Sequence, residues 1–439
     1  MKFYFSIIIA ICTIHCNEVL SQNSADTALS NATLSNCVQY AFKHQPLIQQ
    51  SLIDEDITNK TIQSKLADWY PQLSVNYNYQ NYFQLPVFYF SGVYVRTGTF
   101  NTSTLGLSLT QNIFTRDLLF ANKTSTDVNK QMKQSVIANK ISIAVGVSKA
   151  FYDVLLTQKQ ISVLNEDIIR LDKSLQDAYH QYQSGIVDKT DYKRATISLN
   201  NAKAERKQIE EALHAKNVYL KQLMGYPENN NLRLNFDTTL MEQEALLDTS
   251  MAINIQNRIE YQTLLTQQKL QKATVQYNKW SYLPTVSALG NYNYSYLSNS
   301  FGKLYAQSFA NSFLGLQVSL PIFQGNKRVF QIKQSQLQLE RIDWDMIALK
   351  NKVNTEYAQA MAAYKGNLAN YAALKDNVAL ANDVYTTIRL QYNSGIKTYL
   401  DVIIAESDLR TAQLNFYTAL YQLLESKIDV EKALGNIPY

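Results

Sequence analysis

Apolar residues recur in alternating steps of three and four along two long stretches of this chain. Ile161, Leu164, Ile168, Leu171, Leu175, Ala178 and Tyr182 form one series, and Tyr371, Leu374, Val378, Ala381, Tyr385, Ile388 and Tyr392 form the other. That spacing holds one face of a helix against a partner, as coiled-coil packing requires. Each series stops at Ser-Gly and is followed by a second: Leu199, Ala202, Ile209, Leu213, Leu220 and Leu223 in one case, Leu409, Ala412, Phe416, Ala419, Leu423, Val430 and Ala433 in the other. Gly185 and Gly395 suit the left-handed residue that closes a helix. Proline is absent between Pro86 and Pro227 and between Pro321 and Pro438. Long helices need that, since an internal proline costs about 3 kcal/mol. The pattern therefore predicts helices over 116–183 and 188–224, then over 327–393 and 398–434, each pair a hairpin with a tight tip. At 1.5 Å per residue the first helix would be roughly 100 Å long. Globular helices average about 10–14 residues, so an ordinary compact bundle is a poor reading.

Ahead of each hairpin the period falls to two. Ser74 to Tyr79 and Asn291 to Tyr296 alternate polar and apolar, and Leu105, Leu107 and Leu109, then Leu314, Leu316, Val318 and Leu320, alternate with Gly, Ser, Thr and Gln. Strands are expected over 72–83, 101–113, 285–296 and 310–321. Segments of about ten residues, apolar on one face and polar on the other, fit outer-membrane strands. In that reading Tyr77, Tyr79, Tyr292 and Tyr294 face lipid, while Asn76, Asn78, Asn291 and Asn293 line a wet lumen. Aromatics crowd the same regions: Trp69, Tyr70, Tyr82, Phe83, Phe88, Tyr89 and Phe90, then Trp280, Tyr282, Phe301 and Tyr305. Such girdles sit at membrane–water interfaces. The rival, two soluble hairpins with surface tyrosines, needs a separate core to cover the apolar face.

The two stretches are copies of one unit. Gly185 recurs as Gly395 (395 − 185 = 210) and Gly225 as Gly435 (435 − 225 = 210); LGLSLTQNIF from Leu105 recurs as LGLQVSLPIF from Leu314, and YQSGI from Tyr182 as YNSGI from Tyr392. Self-similarity at a fixed period divides the chain into a first repeat at 22–224, a Pro/Asn-rich connector at 225–250 and a second repeat at 251–439. Two strand pairs make four strands. An open sheet cannot sit in lipid, and known bacterial barrels need at least eight strands, so several chains must share one wall.

Charge adds little to this picture. The 41 Lys and Arg nearly balance 36 Asp and Glu, and they interleave, as in KAERKQIEE from Lys203, which argues against nucleic-acid binding. The opening MKFYFSIIIAIC reads as a signal peptide over 1–21, cut near Ser21–Gln22; the rival is a lipoprotein signal ending at Cys16, although His15 stands where such signals want a small residue. Cys37 is then the sole cysteine of the mature chain, which excludes an internal disulfide or cysteine metal site. Beyond the leader no run of 18 apolar residues occurs, so no transmembrane helix is expected. His15, His44, His180 and His214 are scattered, and neither a phosphate-cradling loop nor a nucleophile elbow is found. No catalytic, cofactor or metal residues are expected, and the chain reads as a non-enzyme.

The duplicated architecture, PIFQGNKR from Pro321 to Arg328, and two Y-x-S-G tips with Asp six residues past the glycine together make the chain resemble the TolC-type outer-membrane efflux proteins. The resemblance implies a homotrimer with a twelve-stranded barrel in outer-membrane lipid and a tapering periplasmic helical tunnel. It implies docking to a periplasmic adaptor, joined in turn to an inner-membrane pump, in a tripartite efflux or type I secretion system. By the same resemblance Tyr392 and Lys397 match positions that bond across to Asp191 to close the tunnel, and Asp401 matches an acidic constriction that selects cations. A second acidic position is Ile404 here, which halves that charge. Ser184, Gly185, Ile186, Ser394, Gly395 and Ile396 would form the adaptor-contact tip. Asp191 and Asp401 also have a plainer reading, as negative charge in the first turn of a helix. Two rival functions stay open on the sequence: a periplasmic coiled-coil scaffold without a pore, and an autonomous porin.

Overall fold

The computed structural model describes residues 32–186, 188–234 and 238–439; the expected leader, with Cys12 and Cys16, lies outside them. In chain order the elements are α1 (Leu34–His44), α2 (Pro46–Ala67), β1 (Gln72–Asn81), β2 (Val87–Phe90), β3 (Val93–Arg96), β4 (Asn101–Phe114), α3 (Arg116–Gln183), α4 (Lys189–Met224), α5 (Thr238–Glu244), α6 (Ile259–Lys279), β5 (Thr285–Ser298), β6 (Ser308–Ser319), α7 (Lys327–Asn393) and α8 (Tyr399–Leu434). Helix α3 is one unbroken helix of 68 residues and α7 one of 67. Thr115 starts α3 by accepting a hydrogen bond from the Leu118 amide at 3.3 Å, which satisfies one of the amides a helix start leaves over.

The long strands form one antiparallel sheet in the order β1-β4-β5-β6, leaving β1 and β6 as open edges. Its register sorts side chains by face. Val75, Leu107 and Tyr292 share one row and Tyr77, Leu105 and Tyr294 the next; Asn76, Gly106, Asn293 and Asn311 line up across all four strands on the opposite face. That polar face is bonded crosswise, Asn293 Nδ2 to Asn311 Oδ1 at 3.0 Å and Ser108 Oγ to Asn291 Oδ1 at 3.1 Å. At Gly106 an added Cβ would come within 2.6 Å of the Asn293 Oδ1, so a side chain there would displace the Asn293 amide from its place on this face. On the other face Leu73, Val75, Leu314 and Leu316 are each 64% exposed or more. The chain's own helices do not fold back over it.

Two features depart from the sequence reading. Phe88, Tyr89 and Phe90 belong to an extra two-stranded hairpin, β2–β3, and are exposed rather than set in the main sheet. The segment Phe301–Ala306 forms a 3-10 turn that folds onto the apolar face, where the Tyr305 hydroxyl meets that of Tyr77 at 2.9 Å. The expected girdle residues therefore occupy two levels. Trp69, Tyr70, Trp280 and Tyr282 lie at the helix-to-strand junctions, and Tyr77, Tyr79, Tyr292 and Tyr294 lie within β1 and β5. At the lower level Arg328 lies 5.0 Å from the Tyr282 ring and Lys123 5.6 Å from the Trp280 ring.

The main core is a belt around the middle of the helices, where Val147, Val154 and Leu155 of α3 meet Leu220, Met224, Leu423 and Leu424. The connector is drawn into it through Tyr364, whose hydroxyl donates to Ala245 O at 3.0 Å and accepts from the Leu247 amide at 2.8 Å. Away from the belt each hairpin is held by the apolar seam: Leu171 with Leu199 and Ala202 in the first, Tyr385 with Ala405 and Leu409 in the second. Among the described residues no helix is long and apolar enough to cross a membrane.

Candidate functional site: the hairpin tips

The two tips close by the same hydrogen bonds. Gly185 and Gly395 take φ of +71° and +77°. The Ile186 amide reaches back to Gln181 O and the Ile396 amide to Gln391 O, both at 2.9 Å, while Ser184 Oγ donates to His180 O and Ser394 Oγ to Leu390 O. This is the Schellman closure, and it requires a left-handed residue at the glycine. It throws Ile186 and Ile396 outward, each 73% exposed. All six expected tip residues thus sit on two exposed turns, each with an isoleucine at its apex.

Beyond the turns the copies diverge. In the second, Thr398 caps α8 in a reciprocal capping box: its Oγ1 accepts from the Asp401 amide at 3.4 Å and Asp401 Oδ2 accepts from the Thr398 amide at 2.9 Å. Lys397 Nζ stands 3.7 Å from Asp401 Oδ1. Hydrogen bonds from the Thr398 hydroxyl and amide, then the charge of Lys397, hold the Asp401 carboxyl below the usual carboxylate range. In the first copy Asp188 is the cap, accepting from the Thr190 amide at 3.2 Å. Asp191 follows within the first turn, and among the described residues its carboxylate makes no hydrogen bond or ion pair.

Within one chain Tyr392 and Lys397 do not bond to Asp191. The Tyr392 hydroxyl donates to Gln181 Oε1 at 2.8 Å, and Lys397 turns to Asp401 on its own helix. Tyr392 nonetheless joins the hairpins, in a small core of Ala178, Ala195 and Tyr399 edged by Leu175, Tyr192 and Ile403. Burial, partly offset by the Gln181 hydrogen bond, pushes the Tyr392 hydroxyl's pKa up. Ile404 lies 52% exposed beside Asp401 rather than in a core.

Sequence reasoning missed Gln181 and a group of charged residues farther along the seam, around the expected seam residue Tyr385: Asp167 and Arg170 on α3, Arg389 on α7, Glu406 and Arg410 on α8. The only sequence signal for them is polarity on faces that a hairpin in isolation would leave to solvent. His180, at the first tip, lies with its ring tilted 58° to that of Tyr179 at 6.3 Å; no group of three or more candidate metal ligands exists among the described residues.

Residues 37–226 and 255–436 match the profile of a family described as "Outer membrane efflux protein". The chain is 24% identical to outer membrane protein TolC of Escherichia coli, over 94% of this chain and 84% of that one. It is 23% identical to alkaline protease secretion protein AprF of Pseudomonas aeruginosa, over 68% and 60%. Its fold superposes on the outer membrane protein VceC of Vibrio cholerae with a TM-score of 0.73 at 14% identity, covering 92% of this chain and 96% of that one.

Proposed function

The chain belongs to the outer membrane efflux protein family, and on that premise we propose that it is a gated exit duct for tripartite efflux or type I secretion. Three copies close a twelve-stranded barrel in the outer membrane, and their helical hairpins extend the bore into the periplasm. The observation that carries this reading is the open sheet. Among the described residues the outer edges of β1 and β6 have no neighbour, and the leucines of the apolar face lie exposed. In lipid every edge must be paired, so the β1 edge of one copy meets the β6 edge of the next. A pore-less periplasmic scaffold would have to cover that face with its own rods, and they leave it bare.

The tips are the gate and the adaptor-contact surface. Asp191 is free to accept a bond from Lys397 or Tyr392 of a neighbouring copy, and Asp401 supplies a ring of three negative charges. An exposed link of this kind is worth about 1 kcal/mol at most, so an adaptor seated on Ile186 and Ile396 breaks three of them readily. The test is conductance of the purified trimer in a planar bilayer. Wild type conducts weakly, and Tyr392→Phe combined with Lys397→Ala conducts several-fold more, roughly fivefold or above. Unchanged conductance in the double variant removes these residues from the latch, and full conductance in wild type returns the reading to an autonomous porin.

A further inference from the structure

Two helical turns into α8, the seam buries more acid than it answers. Asp167 is 1% exposed and Glu406 2% exposed. Asp167 is fully met: Arg170 reaches Oδ1 and Arg410 reaches Oδ2, both at 3.2 Å. Glu406 is not. Its Oε1 accepts a long bond of 3.4 Å from the Tyr385 hydroxyl, which itself accepts from Arg389 Nη1 at 2.8 Å. Its Oε2 is buried without a partner. The charged and titratable groups around Glu406 are thus Asp167 and Arg170 from α3, Tyr385 and Arg389 from α7, and Tyr399 and Arg410 on α8. A buried carboxylate with one oxygen unpaired and a second carboxylate nearby is strongly disfavoured as an anion, so it holds a proton instead. Burial first and the Asp167 charge second push the Glu406 carboxyl up to about 7, against the pull of Arg170, Tyr385 and Arg389.

We propose that Glu406 is a proton-operated positioning residue for the seam between the two hairpins, neutral while they are packed and ionised when they part. The proposal rests on the reading of the chain as a gated duct. While Glu406 carries its proton, α7 and α8 stay packed around Tyr385, Ala405 and Leu409, with α3 held beside them by the Asp167–Arg410 pair. When the proton leaves, the anion needs water and is repelled by Asp167, and parting of the seam supplies the water. The direction follows from proton counting. An exposed glutamate titrates near about 4.3, so the packed seam binds more protons than the parted one. Its advantage is therefore complete below about 4.3, declines as pH rises, and is lost through about 7. Glu406 is buried within a single chain, so neighbouring copies cannot expose it.

The test uses the full trimer in detergent and in a planar bilayer at pH 6 and pH 8. Wild type should show lower amide protection over residues 399–410, each rate being divided by the intrinsic rate at its own pH, and roughly fivefold or greater opening at pH 8 than at pH 6. Glu406→Gln should show the pH 6 behaviour at both, and Asp167→Asn should move the midpoint to lower pH by removing the repelling charge. A purely structural role for Glu406 would leave that midpoint unmoved. Equal protection in wild type at the two pH values, or a change of protection with pH retained in Glu406→Gln, overturns the proposal. A response in exchange without conductance in any variant upholds the titrating seam and sinks the duct reading instead.

Discussion

Four helices end on a left-handed glycine, and the surroundings of each rank the damage an added methyl group would do. Gly185, Gly225, Gly395 and Gly435 have φ of +71°, +67°, +77° and +76°, so alanine suffers the same backbone strain at each, on the order of 1 kcal/mol. The neighbours differ. At Gly185 and Gly395 an added Cβ meets nothing within 4 Å. At Gly435 it would lie 3.1 Å from the Asn257 carbonyl, and the backbone must give slightly. At Gly225 it would run into the His44 carbonyl, with the carbonyl carbon at 2.8 Å and Gln45 Cα at 3.0 Å. Backbone cannot rotate away as a side chain can, and forcing it apart adds about 1–3 kcal/mol. The expected losses per chain are about 1 kcal/mol for Gly185→Ala and Gly395→Ala, about 2 for Gly435→Ala and about 3 for Gly225→Ala. Denaturant titration of the detergent-solubilised protein, followed by helical circular dichroism, measures them. Equal midpoints for Gly225→Ala and Gly185→Ala would refute the reasoning, because the two share their dihedrals and differ only in what stands beside them.

Arg258 is the second place where the middle belt depends on one residue. It is 4% exposed, donates to Lys432 O and Ala433 O at 3.1 and 3.2 Å, and pairs with Glu260 at 2.9 Å and Glu356 at 3.1 Å. Arg258→Ala leaves the Lys432 and Ala433 carbonyls at the end of α8 without their donor and should cost about 2 kcal/mol in the same titration; Arg258→Lys, a point charge without the fork, should not restore it. At the gate, Asp401→Asn should lower the cation preference of the open channel, measured as reversal potential in a salt gradient. In wild type that preference should stay level from pH 8 down to pH 5, since the Thr398 bonds hold the Asp401 carboxyl below its ordinary range.

How much of this was legible in the sequence depends on whether the information is local. The seam of Leu171, Leu199 and Ala202 and that of Tyr385 and Leu409 follow from a spacing any helix must obey, and they pack as read. The register that places Asn76 beside Gly106 and Asn293 follows from alternation once the strands are paired. The hairpin β2–β3 was hidden because VFYFSGVYVR is apolar on both faces and lacks the period-two contrast that marks a half-buried strand. Its turn is instead marked by Ser91 and Gly92, both at positive φ. The partner of Tyr392 was out of reach for a different reason. Gln181 is 211 residues away and polar, and nothing in its own neighbourhood singles it out. Glu406 was missed likewise, since its environment comes from three helices and no one of them carries the pattern.

The duplication itself explains why the tips can do two jobs. Both turns must reverse the chain, and both keep the same glycine closure; that constraint ends at the turn. After it, Thr398 replaces the Asp188 position of the first copy, and the consequence is electrostatic. Asp401 becomes locked to its own cap and to Lys397, so its charge is fixed in place but unavailable as a partner. With Asp188 already capping α4, Asp191 is released from that duty, and its carboxylate makes no bond among the described residues. In the gate proposed above, a ring alternating the two tips would present one acid that sets the potential of the bore and one that forms and breaks bonds across copies. Had both copies kept the capping box, the closed state would have lacked an acceptor; had neither, the constriction would have lacked a charge held in position.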